Sequence, residues 1–475
     1  MFTRGPIAVA TALLCASLCL FAGAAPAQES ELAKIREEIQ QLKQTYERRI
    51  DTLEKRLAEA EVKAAKAESV VTSSPPAPPP SAPGRSGENA FNPAASLILQ
   101  GTYARTSQDP GKVAITGFMP SGGAVGPPKR TFGLGETELN FSANIDPYFR
   151  GAAILSLAPE GDVSVEEAYF QTLALPYGFK LKGGRFFSAI GYQNELHQHA
   201  WDFQDAPLAY KAFVGGQLKQ DGLQLKWVAP TDLFLEAGTE FSAGDQYPGG
   251  ARNRNGVGSN ALFVNAGGDL GVSTAWRAGV SYLQTAAATR RYDDTDALGG
   301  AVTNTFNGTA KLVGLNGVLK WAPNGNATQT SVKLQGEYFQ LRQDGLLTYD
   351  DRAQAVPQFG APFTGNLGTR QSGWYTQAIW QYMPRWRVGY RYDALNYGKV
   401  NNGIVRGGAG PAAADFSLLR HYNPSRNTLM FDWSPTEFSR LRLQLAADKS
   451  RAGATDNQVF LQYIYSLGAH GAHQF

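Results

Sequence analysis

The sequence predicts an all-β transmembrane barrel of about sixteen antiparallel strands, preceded by a short periplasmic α-helical coiled coil. After Phe91 the chain repeats segments in which apolar and polar residues alternate, and the connections between them are alternately short and long. The last segment, Gln458 to Phe475, has the same alternation. Such a strand would leave an exposed apolar edge unless it paired back onto the first strand, and closure into a barrel removes that edge.

The composition excludes a helical membrane protein. The 475 residues include 52 Gly, 20 Tyr and 25 Phe, yet the mean hydropathy is only -0.29. After residue 22 no segment approaches the roughly 20 consecutive apolar residues of a spanning helix, whereas barrel strands alternate and keep the average hydropathy low. The net charge of +3 argues against a nucleic-acid partner.

The first 90 residues divide into three predicted parts. Residues 1–27 are typical of a secretory signal peptide, because Arg4 precedes an apolar run and a small-residue cleavage site. The alternative is a short N-terminal anchor. Both cysteines, Cys15 and Cys19, lie in this part, so the mature chain would contain no thiol.

Residues 28–70 show a heptad spacing of apolar positions from Leu32 to Ala60, which predicts a periplasmic coiled coil and therefore an oligomer. A single amphipathic helix is the alternative. Residues 71–90 contain the run SSPPAPPPSAP and form a predicted proline-rich linker. The barrel is predicted to occupy residues 91–475.

Sixteen alternating segments are predicted in the barrel. They begin near Leu97, Phe132, Phe149, Val163, Phe179, Gly222, Leu233, Ala261, Val272, Lys311, Ser331, Gly373, Arg385, Asn427, Glu437 and Gln458. Every second connection is short and usually contains proline, whereas the others, such as Thr285 to Ala310 and Gln343 to Ser372, are mostly long and polar. Short periplasmic turns and long extracellular loops are typical of bacterial outer-membrane barrels. A soluble β-sandwich is the alternative, but its loops need not alternate in length.

Strand parity separates a lipid face from a water face. Trp386, Val388 and Tyr390 share one face of their segment, and the intervening arginines share the other. An arginine at mid-depth in hydrocarbon would cost about 2–4 kcal/mol, so these charges are expected to face a water-filled lumen. The predicted pore-lining residues are Arg385, Arg387, Arg391, Arg440, Arg442, Lys180, Lys182, Arg185, Glu136 and Glu138.

The five arginines of this set form a predicted basic wall that would favour anions, since guanidinium groups bind phosphate and carboxylate well. The alternative is that they only hydrate the channel and form ion pairs. Arg185 has the wrong parity for the lumen, so a β-bulge is expected at Gly183 and Gly184. Trp321, Trp380, Tyr382 and Trp433 precede short turns and are expected to form an aromatic girdle.

With its signal peptide, coiled coil, proline-rich linker and barrel, the chain resembles the phosphate-selective O and P porins and the related DcaP-like channels. The resemblance also includes the segments GETELNFSANIDPYFRG, VEEAYFQTL and GRFFSAIGYQNELHQHAWDF. It implies a homotrimer of sixteen-stranded barrels in the outer membrane, each with a long loop folded into its pore. That constriction loop would be Ser188 to Asp221, with His197, His199, Asp202, Asp205 and Lys211 as its candidate residues. The chain departs from the family in lacking a plain ladder of inward arginines.

The predicted function is passive diffusion of small hydrophilic solutes with a modest preference for anions, such as phosphate or organic acids. No enzyme activity, cofactor or resident metal is expected. Two alternatives remain. His197 and His199, with the nearby carboxylates Asp202 and Asp205, could bind zinc. A barrel protease would need an Asp–His dyad opposite paired acids in the outer cleft.

Overall fold

The computed structural model describes residues 93–122, 125–158, 161–251, 253–406 and 410–468. The predicted signal peptide, coiled coil and linker lie outside these residues. None of the helices described is long and apolar enough to cross a membrane.

The described chain forms one closed, antiparallel β-barrel. Its strands are β1 (Ala94–Thr106), β2 (Thr131–Leu134), β3 (Thr137–Asn144), β4 (Phe149–Leu157), β5 (Val163–Thr172), β6 (Phe179–Phe187), β7 (Lys219–Val228), β8 (Phe234–Ser242), β9 (Ser259–Leu270), β10 (Thr274–Thr295), β11 (Ala301–Trp321), β12 (Ser331–Asp350), β13 (Phe363–Met383), β14 (Trp386–Asn402), β15 (Ser425–Thr436), β16 (Ser439–Lys449) and β17 (Asp456–Gly468). Since β2 and β3 both pair with β1 and follow each other, they make one barrel strand, and the barrel has sixteen.

The last strand closes the barrel. β17 pairs with β1 over a continuous register from Ser96 opposite Gly468 to Thr106 opposite Gln458. All other neighbours are consecutive in sequence. The predicted antiparallel barrel, its sixteen strands and its closure by the last segment are therefore confirmed.

Two predicted long loops are largely strand. β10 to β13 contain 20 to 22 residues each, so the chain between β10 and β11 is only residues 296–300, and that between β12 and β13 is residues 351–362. The expected loops over Thr285 to Ala310 and Gln343 to Ser372 are wrong. In the halves of these strands away from the short turns, the outward side chains are polar, as at Arg291 and Asp293. The alternation of apolar and polar residues is therefore lost in the sequence, although the backbone pairing between the strands continues.

The two faces of the wall follow strand parity. In β16 Leu443 and Leu445 are exposed outward, whereas Arg442 and Gln444 are buried inside. The aromatic residues expected at the girdle, namely Trp321, Trp380, Tyr382 and Trp433, are all exposed near the end of the barrel with the short connections, called here the short-turn end. The opposite end is called the long-loop end. An apolar outward face with aromatic residues at its edge suits a wall that contacts lipid.

The bulge expected at Gly183 and Gly184 is absent from the described strands. β6 keeps a continuous register with both β5 and β7. A register shift occurs in β5 instead, where Ile154 of β4 pairs with Glu167 and Leu155 pairs with Val165, leaving Glu166 as the extra residue. A second extra residue separates β2 from β3, because Leu134 to Glu138 lies opposite Gly101 to Ile98.

Candidate functional site

A long loop between β6 and β7 lies inside the barrel. This segment, residues 188–218 and called here the inner loop, contains α1 (Leu208–Val214), in which every residue is buried. A short helix α2 (Gly403–Arg406) follows β14 at the long-loop end. Phe213 of α1 packs in one apolar cluster with Phe339 and Leu395 of the wall. Part of the lumen is thus a packed core, which the charged inward positions alone did not predict.

Buried glutamates of the wall hold the inner loop through its backbone. Glu337 of β12 accepts hydrogen bonds from the N–H groups of Tyr192 (2.8 Å) and Gln193 (3.0 Å). The same carboxylate accepts from the hydroxyls of Tyr210 (2.9 Å) and Tyr375 (2.5 Å). A carboxylate satisfied by four donors positions the loop more rigidly than apolar packing alone, because hydrogen bonds are directional.

Asp205 of the inner loop is surrounded by cations. Its carboxylate pairs with Lys211 (2.6 Å), with Arg391 of β14 (3.1 Å) and with Arg426 of β15. Burial alone would raise the pKa of Asp205, but Arg426, Lys211 and Arg391 lower it well below the usual range. Asp205 is therefore ionised, and its charge ties the loop to the wall.

Asp202 makes a second set of ties nearer the short-turn end. It pairs with Lys333 of β12 (2.9 Å) and Arg387 of β14 (3.1 Å). Arg387 also contacts Asp432 of β15, and Asp432 pairs with Arg442 (2.9 Å). The ion pairs around Asp202 and Asp205 are called here the aspartate ties.

The predicted basic wall is therefore not an open ladder of arginines. Arg391 and Arg442 point inward as predicted but are almost wholly buried in ion pairs. Arg387 is likewise engaged, with a fifth of its side chain exposed (22%). Arg385 is in the tight turn between β13 and β14 and donates to the carbonyl of Pro435, so its predicted place in the lumen is wrong.

The remaining predicted lining residues divide between the two faces. Arg185 lies opposite Asp221 in an ion pair on the exposed outer face of β6 and β7, so its predicted inward position is wrong because β6 has no bulge. Lys182 faces inward, with its ammonium group 4.5 Å from the ring centre of Tyr169. Lys180 shares the parity of Lys182 and is exposed near the short-turn end.

The two loop histidines meet glutamates rather than the aspartates expected from sequence. His199 Nδ1 lies 2.9 Å from Glu138 Oε1, and His197 Nε2 lies 3.0 Å from Glu167 Oε2. His197 Nδ1 is 3.4 Å from Glu138 Oε2 and 3.5 Å from Glu166 Oε2. Burial alone would lower the pKa of His197, but Glu138, Glu166 and Glu167 together raise it well above its ordinary value.

Glu136, the remaining acidic residue of the predicted lining, lies beside Glu166 and accepts a hydrogen bond from Ser156 (2.9 Å). These six side chains are called here the glutamate–histidine cluster: Glu136, Glu138, Glu166, Glu167, His197 and His199. The ion pairs of His197 and His199 described above are with glutamates, and so they do not form the Asp–His dyad that a barrel protease would need.

A cavity of about 400 Å³ opens at the short-turn end of the lumen. Its lining includes three cationic side chains, Lys320, Lys333 and Arg440, with Glu437 as a carboxylate, and it reaches His199 of the inner loop. Arg440 is the one member of the predicted basic wall that lines this cavity. The cavity therefore exposes the side of the inner loop that faces the short-turn end.

Sequence reasoning missed several partners in this interior. Arg426 and Asp432 were not singled out, although their inward parity in β15 could have been read from the alternation around Met430. Glu166 was missed because two consecutive glutamates in β5 cannot both face inward without a bulge. That pair of glutamates in an otherwise alternating strand was the available signal.

Comparison with known proteins gives one relative in sequence and several in structure. No family model matches the chain. Among solved structures, an OmpT loop L8 deletion mutant, an outer membrane protein of Vibrio cholerae, aligns over 80% of this chain and 100% of its own, at 12% identity and a TM-score of 0.49. The outer membrane channel DcaP of Acinetobacter baumannii aligns over 79% and 97%, at 12% identity and 0.44. The anion-selective porin from Comamonas acidovorans aligns over 79% and 99%, at 10% identity and 0.45. With TM-scores below 0.5, these similarities support no conclusion about function.

The sequence relative is a protein of Aquifex aeolicus (strain VF5) described as uncharacterized. It is 30% identical over 364 residues, which is 73% of this chain and 71% of the relative. This identity, over more than two thirds of both chains, shows common membership of one family. The chain described here therefore belongs to the family of the Aquifex aeolicus protein.

Proposed function

We propose that the protein is a porin of the bacterial outer membrane that lets small hydrophilic solutes diffuse passively. The observation that carries this proposal is the closed sixteen-strand barrel with an apolar outer face and a charged, hydrogen-bonding inner face. A barrel satisfies all its backbone hydrogen bonds in lipid, and a polar interior admits water. The short-turn end would then lie in the periplasm and the long-loop end outside the cell.

Single-channel recording in planar bilayers tests the channel function. Folded protein should give stable conductance steps, and the steps should be small because the inner loop fills part of the lumen. Asp205→Asn should give larger or noisier steps, because it loosens the aspartate ties. Pure, folded protein that inserts into the bilayer and never conducts would contradict the proposal.

The modest anion preference is also proposed, but from a different set of residues than the sequence indicated. Arg391 and Arg442 are almost wholly buried in ion pairs, whereas Lys320, Arg440 and Lys333, which also pairs with Asp202, line the cavity at the short-turn end. Cations around an opening concentrate anions near it, and salt screens this effect as the Debye length falls from about 10 Å at 0.1 M to about 3 Å at 1 M. Phosphate and organic acids are the anions that we propose to test.

Reversal potentials in a salt gradient measure this preference. Arg440→Gln combined with Lys320→Gln should shift the reversal potential toward cation preference, most strongly at low salt. Lys399→Gln serves as the matched control, because Lys399 is exposed in the upper part of β14. A parent protein that prefers cations, or a double variant that behaves like the control, would contradict this assignment.

A homotrimer assembled with outer-membrane lipid is proposed as the working form, supported by the heptad spacing from Leu32 to Ala60. Deleting residues 28–83, which contain the predicted coiled coil and most of the linker, should lower the stability of the oligomer on non-denaturing gels and leave the barrel folded. An equally stable trimer after deletion would assign assembly to the barrel wall.

A further inference from the structure

The glutamate–histidine cluster combines the donor atoms of a metal site in a buried position. Glu138, His197 and His199 each offer one ligand atom, and these atoms lie within 4.8 Å of one another. Glu138 and Glu166 are 2% exposed, and His199 is 7% exposed. Two imidazoles with carboxylate oxygens form the type of donor set that binds Zn²⁺ and similar divalent transition ions.

Two of its atoms face each other without a hydrogen bond. His197 Nδ1 and Glu166 Oε2 are both buried and have no hydrogen-bond partner in the structure. Glu138 Oε2 and Glu166 Oε2 lie 3.4 and 3.5 Å from His197 Nδ1, which is long for a hydrogen bond. Ligands at about 2.0–2.1 Å from a tetrahedral Zn²⁺ are separated by about 3.3 Å, so these spacings suit a shared cation.

The other nitrogen of His197 is already held. Its Nε2 lies 3.0 Å from Glu167 Oε2, so Glu167 can accept the ring N–H and direct Nδ1 toward Glu138 and Glu166. A carboxylate behind a metal-binding histidine orients the ring and increases its basicity. Glu167 therefore occupies the place of a supporting residue rather than that of a ligand.

The backbone is bent so as to bring these acids together. The bulge in β5 makes Glu166 and Glu167 both face the lumen, although they are consecutive. The extra residue between β2 and β3 lies directly before Glu138 in the barrel strand. Bulges commonly redirect side chains toward functional sites.

The charge of the cluster also calls for a cation. Four carboxylates surround two imidazoles, and the ion pairs within the cluster all involve those histidines. Buried carboxylates in excess are unfavourable unless a proton or a metal ion neutralises them. An ion can arrive from the short-turn end, because the cavity there reaches His199.

We propose that the glutamate–histidine cluster is a binding site for a divalent transition ion, with Zn²⁺ as the best match. Glu138, Glu166, His197 and His199 are its ligands, and Glu167 is the positioning residue for His197. The bound ion joins the inner loop to β3 and β5. This inference stands on the cluster's own geometry and does not depend on conduction by the barrel.

Equilibrium dialysis of the full-length, untagged, folded protein against Zn²⁺ alone tests the site. One tightly bound Zn²⁺ per chain is expected. His197→Gln should weaken its binding at least about 100-fold, because even the loss of a supporting residue around a metal weakens affinity about 10–100-fold. His421→Gln is the matched control, since His421 lies in a loop beside Tyr397, away from the cluster. The Zn²⁺ affinity of this variant should equal that of the parent.

Glu166→Gln provides a second test that does not depend on a loop histidine. It keeps the size of the side chain, and Glu166 Oε2 makes only a long contact (3.5 Å) with His197 Nδ1 and no hydrogen bond, so the variant is expected to fold. It should weaken Zn²⁺ binding strongly and abolish the rise in melting temperature that Zn²⁺ gives the parent. Equal Zn²⁺ affinity in the parent, His197→Gln and Glu166→Gln would overturn the proposal. So would an anomalous scattering peak for Zn²⁺ elsewhere in a crystal and none at the cluster.

Discussion

The inner loop is held at two places whose charges are arranged in opposite ways. At the aspartate ties, one loop carboxylate such as Asp205 meets several cations of the wall, so the charges are balanced within the protein. At the glutamate–histidine cluster, the loop brings imidazoles to a wall that is rich in carboxylates. The charges at the aspartate ties are neutralised by the protein's own side chains. The excess negative charge at the glutamate–histidine cluster requires a proton or a metal ion to neutralise it. The comparison shows that one loop can combine a fixed attachment with an adjustable one.

The largest effect is expected from breaking the fixed attachment. Asp205→Asn removes the carboxylate that Arg391 and Arg426 share, although Arg391 keeps its pair with Asp393 (3.0 Å). Breaking a buried ion pair typically costs about 3–5 kcal/mol. The free energy of unfolding in urea, measured in phospholipid vesicles, should fall by that amount.

Asp344→Asn is the control for this variant, because Asp344 pairs with Arg342 on the exposed outer wall. It should leave the unfolding free energy nearly unchanged. If Asp205→Asn had no larger effect than Asp344→Asn, the aspartate ties would not be holding the loop.

A smaller effect is expected from the adjustable attachment in metal-free protein. Glu138→Gln removes a charge-assisted contact with His199, worth about 1.5–3 kcal/mol, but it also relieves repulsion among the neighbouring glutamates. We expect a net loss of about 1–2 kcal/mol in the same urea titration, clearly less than for Asp205→Asn. Glu437→Gln, an exposed glutamate at the short-turn end, is the matched control. A loss as large as that of Asp205→Asn would mean that the two attachments do not differ as described.

The smallest loss of unfolding free energy is expected for an ion pair on the outer face of the barrel. Asp221 and Arg185 form a two-pronged ion pair (2.6 and 2.8 Å), but both side chains are more than a third exposed. Exposed pairs contribute about 0.2–1 kcal/mol, so Asp221→Asn should cost no more than that. Adding salt should reduce the difference between variant and parent. A loss above about 2 kcal/mol would show that this face is buried in an assembly.

The sequence was sufficient for the wall and insufficient for the interior. Alternation at positions such as Leu443 and Arg442 reports which face each residue occupies, because the pleat has a period of two. It cannot report that Asp205 meets Arg391 and Arg426, since that contact depends on how a long loop folds back. The bulge was expected at Gly183 and Gly184 from the parity of Arg185, whereas the real irregularity at Glu166 was marked only by two adjacent acids.

The unequal strand lengths give the barrel a high side and a low side. At about 3.3 Å per residue and a tilt near 40°, strands of 20 to 22 residues rise about 50 Å, roughly twice the apolar band of about 25 Å. The 8 to 10 residues of β3 to β8 rise only about as far as that band. The opening at the long-loop end is therefore oblique. In the proposed orientation, a solute diffusing along the cell surface would enter more directly over β3 to β8 than over β10 to β13. In an assembly of several copies, the direction in which the low sides point would determine whether the openings share one antechamber or collect solutes from separate sectors.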